Sequence, residues 1–306
     1  MNVFRQSGLQ QILQRRAEII QAIRSFFIEQ GFLEVDTPLR LPCPLPESHI
    51  DAEEAGDWYL QTSPESLMKQ LLAAGYPKIF QICKCFRKNE RGRKHLPEMT
   101  LLEWYESGVG YMDLMVQCEE MIRFVACKAG CGDAIIYGSH TIHLNDSWER
   151  LSVVDAFTRY AGLSMREAIS RDRFDECMAF QIEPELGLKK PVFLYDYPVE
   201  KGALARVKPE NPLFAERFEL YMAGLELCNA FSELTDPVEQ EARFKKENAF
   251  RASQGKKTYP TPRKFLDALS NMPEAAGIAL GVDRLVMLFT DSSEIDAVTS
   301  FVPEDL

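Results

Sequence analysis

The sequence has no long apolar run. None of its hydrophobic stretches reaches the ~18–20 residues that cross a bilayer, so no membrane-spanning helix is expected. The opening MNVFRQSGLQQILQRR lacks the apolar core of a secretory signal, which makes the cytoplasm the expected location. Positive charge is also scarce. Against 46 Asp and Glu stand 35 Lys and Arg, a net charge of −11, which argues against a broad basic face for nucleic acid. No internal repeat, low-complexity tract or flexible linker divides the 306 residues, so one domain over 1–306 is expected. The eight cysteines (Cys43, Cys83, Cys85, Cys118, Cys127, Cys131, Cys177 and Cys228) are spread through apolar segments and read as reduced, packed thiols. What is present, 46% hydrophobic and 26% charged residues, is the composition of a soluble globular chain.

Against the acidic background, the stretch from Phe80 to Tyr105 stands out. Strand-type residues flank a loop that carries Arg87, Lys88, Arg91, Arg93, Lys94 and His95, which predicts a hairpin with a cationic tip. A solvated loop would need no more explanation. An anion site explains the concentration better, because Arg presents a planar fork to phosphate oxygens. Side chains alternate along a strand, so Met99, Leu101, Glu103 and Tyr105 share one face. A carboxylate and a phenol on an inward face need polar partners, which a ligand ammonium would supply.

Elsewhere, apolar spacing predicts a helix over Leu9 to Gln30 stopped by Gly31, then a strand in FLEVDTPLR. Residues 39–57 read as a proline-rich loop over the site or at a domain edge. Ser63 as N-cap and Pro64 at the first position start a helix closed by Gly75, with Glu65 in its first turn. A helix is expected from Gly110 to Lys128, and another from Ser152 to about Ala161. Cys127, Cys131, His140 and His143 mimic a zinc-finger pattern, but His-x-x-His is shorter than zinc fingers favour, so packed thiols and a surface strand are expected. Residues 164–190 are charged and mixed, without a clear pattern. A strand begins at Pro191, and Phe214 to Glu233 suits neighbouring antiparallel strands. In GIALGVDRLVML, the small residues Gly277, Ala279 and Gly281 let a strand backbone approach a flat ligand, and Arg284 opens a helix.

Three of these stretches carry a family resemblance. Phe86-Arg87, Arg93 to Glu98 and Thr100-Leu101-Leu102-Glu103-Trp104-Tyr105 resemble motif 2 of the class II aminoacyl-tRNA synthetases, in the lysyl branch. Glu226, Asn229 and Glu233 in ELCNAFSE, with the Gly277 to Leu288 run, resemble that branch's acidic strand and motif 3. The helix and strand that end at Pro38 resemble motif 1, the family's dimer interface. The LEWY ending is similar to the lysyl-synthetase paralogues that modify translation elongation factor P.

The resemblance implies an α+β fold: a class II synthetase-like catalytic domain, its antiparallel sheet flanked by helices. It implies ATP and Mg2+ as cofactors, elongation factor P as acceptor, beta-lysine or lysine as substrate, a homodimer, and neither tRNA nor membrane as partner. The family's anticodon-binding domain is expected to be missing, because motif 1 begins almost at once.

Catalysis would fall to Arg87 and Arg284. Around ATP would lie Arg87, Lys88, Asn89, Arg93, His95, Leu96, Met99, Glu226, Leu227, Gly281 and Arg284, with Arg284 and Arg93 at the gamma end. The amino acid would meet Ser63, Pro64, Glu65, Glu103, Tyr105, Asn229, Glu233 and Ala279. Glu226 and Glu233 would hold magnesium. Asn89, Leu96 and Met99 depart from the family's pattern, all on the nucleotide side. A ligase for another small acceptor or carrier protein, and a catalytically weak binding paralogue, are the alternatives.

Overall fold

The computed structural model describes residues 4–202 and 204–306. Among them, eight strands form one sheet: β1 (Leu33–Glu34), β2 (Lys78–Phe86), β3 (Glu98–Ser107), β4 (Glu149–Ser152), β5 (Val192–Pro198), β6 (Phe214–Met222), β7 (Leu225–Ser232) and β8 (Ala275–Gly281). Their spatial order is β1-β2-β3-β8-β7-β6-β5-β4. The pairings from β2 through to β5 are antiparallel, as expected of this fold. The outermost pairings, β1 with β2 and β5 with β4, are parallel.

The six helices that matter here are α1 (Gln10–Glu29), α2 (Glu65–Ala73), α3 (Tyr111–Lys128), α4 (Pro237–Ser253), α5 (Arg263–Leu269) and α6 (Val282–Phe289). Alternation along the strands divides the sheet into two faces. One face presents Leu102, Trp104, Ile278, Leu280, Ala230 and Phe218 to the main core, where Ile19, Ile23 and Phe27 of α1 and Leu114, Met121 and Ile122 of α3 cover them. The opposite face is left for the site. A second core, with Met68 and Leu72 of α2 and Phe265 and Leu269 of α5, closes one end of it around Tyr105 and Phe231.

Register lines the site face up in rows. Glu103 lies opposite Ala279, Ala279 opposite Asn229, and Asn229 opposite Glu219. Two residues along, Tyr105, Gly277, Phe231 and Arg217 form the next row. Between β6 and β7, Ala223 and Gly224 both take positive φ, as the two central residues of a type I′ hairpin turn must. The ladder then slips: Leu220 faces Cys228 but Tyr221 faces Glu226. This bulge turns Glu226 toward the face that carries Glu219.

Several expectations need adjustment. The strand in FLEVDTPLR shrinks to two residues, and α2 starts at Glu65 with Pro64 as its cap residue. Residues 165–185 are short helices that bury Ala168, Phe174, Cys177 and Ile182 in a third core. Ala134–Tyr137 and His140–His143 form a separate hairpin with Tyr137 opposite His140. Among the described residues no group of three or more His, Cys, Asp or Glu could hold a metal, and all eight cysteines are free.

Candidate active site

The site face of the sheet floors a cavity of about 680 Å³. At one end are acids. Glu103 is 1% exposed; its Oε2 accepts a hydrogen bond from Tyr105 Oη at 2.8 Å, while its Oε1 is buried with no hydrogen-bond partner. Burial, and then the Glu65 carboxylate, hold the Glu103 carboxyl well above the usual carboxylate range. Lys69, itself 1% exposed, puts its Nζ 2.5 Å from Glu65 Oε1 and 2.5 Å from Glu233 Oε2. Burial opposes that ammonium, but the Glu233 and Glu65 charges outweigh it and raise the Lys69 pKa. Burial pushes Glu233 up to about 8 despite Lys69, with Glu65 and Glu103 adding to the rise. Two carboxyl groups, Glu65 and Glu233, thus share one cation while Glu103 has none, and a ligand ammonium placed here would favour the ionised form of these acids.

The middle of the cavity holds three guanidinium groups with different commitments. Arg217 donates to Asn229 Oδ1 at 2.8 Å, to Glu219 Oε1 at 2.6 Å and to the Lys201 carbonyl at 2.5 Å. Arg284 donates to the Glu226 carbonyl at 2.7 Å and to His95 Nε2 at 2.5 Å. Arg87 is the uncommitted one. Its nearest carboxylate, Glu90, is 3.9 Å away, and its Nε is buried without a partner. A half-buried guanidinium with free donors is suited to bind an anion.

Toward the other end lie His95, Leu96, Met99, Thr100, Gly281 and Ile295. The protein around His95, and then the Arg284 cation, push its pKa down to about 4, so it is neutral at pH 7 and accepts from Arg284. Asn89 takes a positive φ of 64°, a conformation that Asn tolerates better than most residues.

Most of the expected residues converge here. Ser63, Glu65, Arg87, Asn89, His95, Leu96, Met99, Glu103 and Tyr105 line the cavity, as do Glu226, Leu227, Asn229, Ala279, Gly281 and Arg284. Lys88, Pro64 and Glu233 do not. Nor does Arg93, expected at the gamma end: its side chain is 74% exposed and pairs with Glu294 at 3.2 Å. Arg91 and Lys94 line the wall instead.

The magnesium pair is a correction. Glu226 and Glu233 sit seven positions apart along an extended strand, roughly 20 Å at ~3.3 Å per residue. Glu233 is spent on Lys69. The carboxylate that shares a face with Glu226 on the β6–β7 hairpin is Glu219, whose pKa burial raises, Arg217 opposes and Glu226 raises further. Sequence reading missed Glu219, Arg217, Lys69 and the loop residues Glu47, His49 and Ile50. The signal for the first two was present, since alternation in AERFELYM puts Arg217, Glu219 and Tyr221 on one face.

A sheet that presents a motif-like arginine hairpin, an acidic hairpin and a glycine-bearing strand to one cavity is the arrangement that the sequence resemblance implies. The description of the class II tRNA synthetases (D, K and N) matches residues 1–305. The chain belongs to that family. Curated relatives include the elongation factor P–(R)-beta-lysine ligase of Vibrio campbellii, 38% identical, and those of Vibrio cholerae and Erwinia tasmaniensis, each 37% identical. Each comparison covers 94% of this chain and 94% of the relative. Within the family frame, Gly277 explains itself. A Cβ there would collide with the Tyr105 ring and come within 2.5 Å of Glu233 Oε1, so only glycine lets the phenol and that carboxylate lie over the strand.

Proposed function

We propose that this chain is an ATP-dependent ligase that activates (R)-beta-lysine, or lysine, as an adenylate and transfers it to a lysine side chain of translation elongation factor P. The observation that carries the reading is the juxtaposition of an acidic, ammonium-accepting end with the uncommitted Arg87 in one cavity. The amino-acid carboxylate attacks the alpha-phosphate of ATP and pyrophosphate leaves. The acceptor amine then attacks the activated carbonyl, AMP leaves, and an amide remains. Arg87 neutralises charge on the alpha-phosphate as it is transferred. Arg284, held by His95 and the Glu226 carbonyl, faces the distal phosphates. The ammonium groups are received by Glu65, Glu103 and Tyr105, with Glu233 setting their surroundings through Lys69.

Magnesium fits the opposite wall. Glu226 keeps an oxygen free of hydrogen bonds on a side chain 39% exposed, and Glu219, held by Arg217, Tyr197 and Tyr221, shares its face of the hairpin. Mg2+ typically takes one or two carboxylates plus substrate phosphates, so this pair is the place for it. When bound there it would offset phosphate charge.

The relatives' printed names support elongation factor P as acceptor. We further infer one catalytic unit over residues 1–306, since a single sheet carries both ends of the cavity, and a homodimer built on α1 and the β1 segment. A cytoplasmic location suits the free thiols, and no described helix is long and apolar enough to cross a membrane. The test is intact-mass analysis of purified elongation factor P after incubation with this protein, ATP and each candidate lysine. A single added lysyl mass on one lysine is expected with beta-lysine. No mass shift, alongside normal amino-acid-dependent pyrophosphate exchange, would move the acceptor to another protein.

A further inference from the structure

One of the cavity's carboxylates comes from a loop outside the stretches that carry the family resemblance. Glu47 lies in the proline-rich segment before α2, far in sequence from the motif strands, yet it lines the cavity with Glu65, Arg87 and Arg217. Among the described residues its carboxylate makes no hydrogen bond or ion pair.

Its backbone, by contrast, is firmly held. Arg251 of α4, 1% exposed, donates to the Glu47 carbonyl at 2.8 Å, to the Ile50 carbonyl at 2.8 Å and to Asp51 Oδ1 at 2.7 Å. The Arg251 guanidinium lies 4.3 Å from the Tyr259 ring, and the Tyr259 hydroxyl accepts from the Ala52 amide at 2.8 Å. The Ser48 amide donates to Glu247 Oε2, also on α4, at 2.8 Å. A segment with no secondary structure is thus strapped to a helix at successive residues, with one free carboxylate facing the cavity. Burial, then Glu65, push Glu47 up to about 7, while Arg87 and Arg217 pull the other way. It shares the cavity wall with Glu65 of the acidic end and with Arg87, the arginine assigned to the reacting centre.

We propose that Glu47 is a specificity-determining residue that receives the substrate amine nearer the carboxyl group, with Arg251 as the positioning residue that holds it there. This deepens the proposed function and rests on it. An ammonium at this point neutralises Glu47 next to Glu65, which a monoamine with only a distal amine does not do.

The experiment is pyrophosphate exchange by wild type and Glu47→Gln with beta-lysine, with 6-aminohexanoate as competitive inhibitor. That inhibitor keeps the distal amine and lacks the near one. Loss of a charge-assisted hydrogen bond is expected to raise KM for beta-lysine about ten-fold or more, with the inhibition constant of 6-aminohexanoate shifted less than about two-fold. Equal weakening of both ligands, or no change in either, overturns the inference while the function stands. Failure of the wild type to activate any lysine overturns both.

Discussion

At the scale of single residues, the structure separates two departures from the family pattern that look alike in sequence. Leu96 is 3% exposed and packs into the main core, whereas Met99 is only partly buried on the cavity wall. Met99→Phe should therefore improve ATP binding. Aromatic pairs are worth about 0.5–1.5 kcal/mol beyond burial, and by analogy KM for ATP should fall roughly two- to ten-fold. Leu96→Asn would instead bury an amide in the core and destabilise by about 1–3 kcal/mol, which thermal unfolding would register. A Met99→Phe variant with raised KM would mean that adenine is held in another pose.

Glu233 gives a prediction of pH dependence. Its folded pKa, about 8, lies above the unfolded value of 4.5, so the folded chain binds this proton more tightly. The stability it contributes is present in full below about 4.5 and lost as pH rises through about 8. Glu233→Gln stays neutral throughout. The denaturation midpoint of the variant relative to wild type should rise between pH 5 and pH 8.5. A constant difference across that range would mean that Glu233 is ionised against Lys69 throughout.

At the scale of elements, Gly277 ties three strands together. Its φ is not positive; what matters is the Tyr105 ring that lies over it. Gly277→Ala should push Tyr105 off Glu103, at a cost of about 1–3 kcal/mol for overpacking. KM for the amino acid should rise more than KM for ATP, measured by exchange kinetics. Equal effects on both would argue against the assignment of ends. Much of this level was legible beforehand. The hairpin around the arginine loop, the shared face of Met99, Leu101, Glu103 and Tyr105, and α3 follow from alternation and helical spacing. The magnesium pairing did not, because β6–β7 register depends on a one-residue bulge, and no local pattern tells that Glu226 comes opposite Tyr221, on the face of Glu219. Nor did Glu47, whose place is fixed by Arg251, about two hundred residues away.

At the scale of the whole molecule, a net charge of −11 works against the broad basic face that a bulk tRNA partner would need. Transfer of lysine to bulk tRNA should therefore be undetectable under conditions that fully modify elongation factor P, measured by acid-precipitable label. Efficient tRNA charging would return the protein to aminoacyl-tRNA synthesis.

The arginine loop is also braced from far along the chain. The Ile295 amide donates to the Arg93 carbonyl at 2.8 Å, and Arg91 pairs with Asp296 at 2.8 Å and with Glu304 at 3.0 Å. These are among the last described residues to leave the ribosome. During synthesis the acidic end gains its last sheet strand with β8, at Ala275–Gly281, while the arginine loop still lacks its brace. The geometry of the arginine loop is thus fixed only once the segment around Ile295, Asp296 and Glu304 has folded against it.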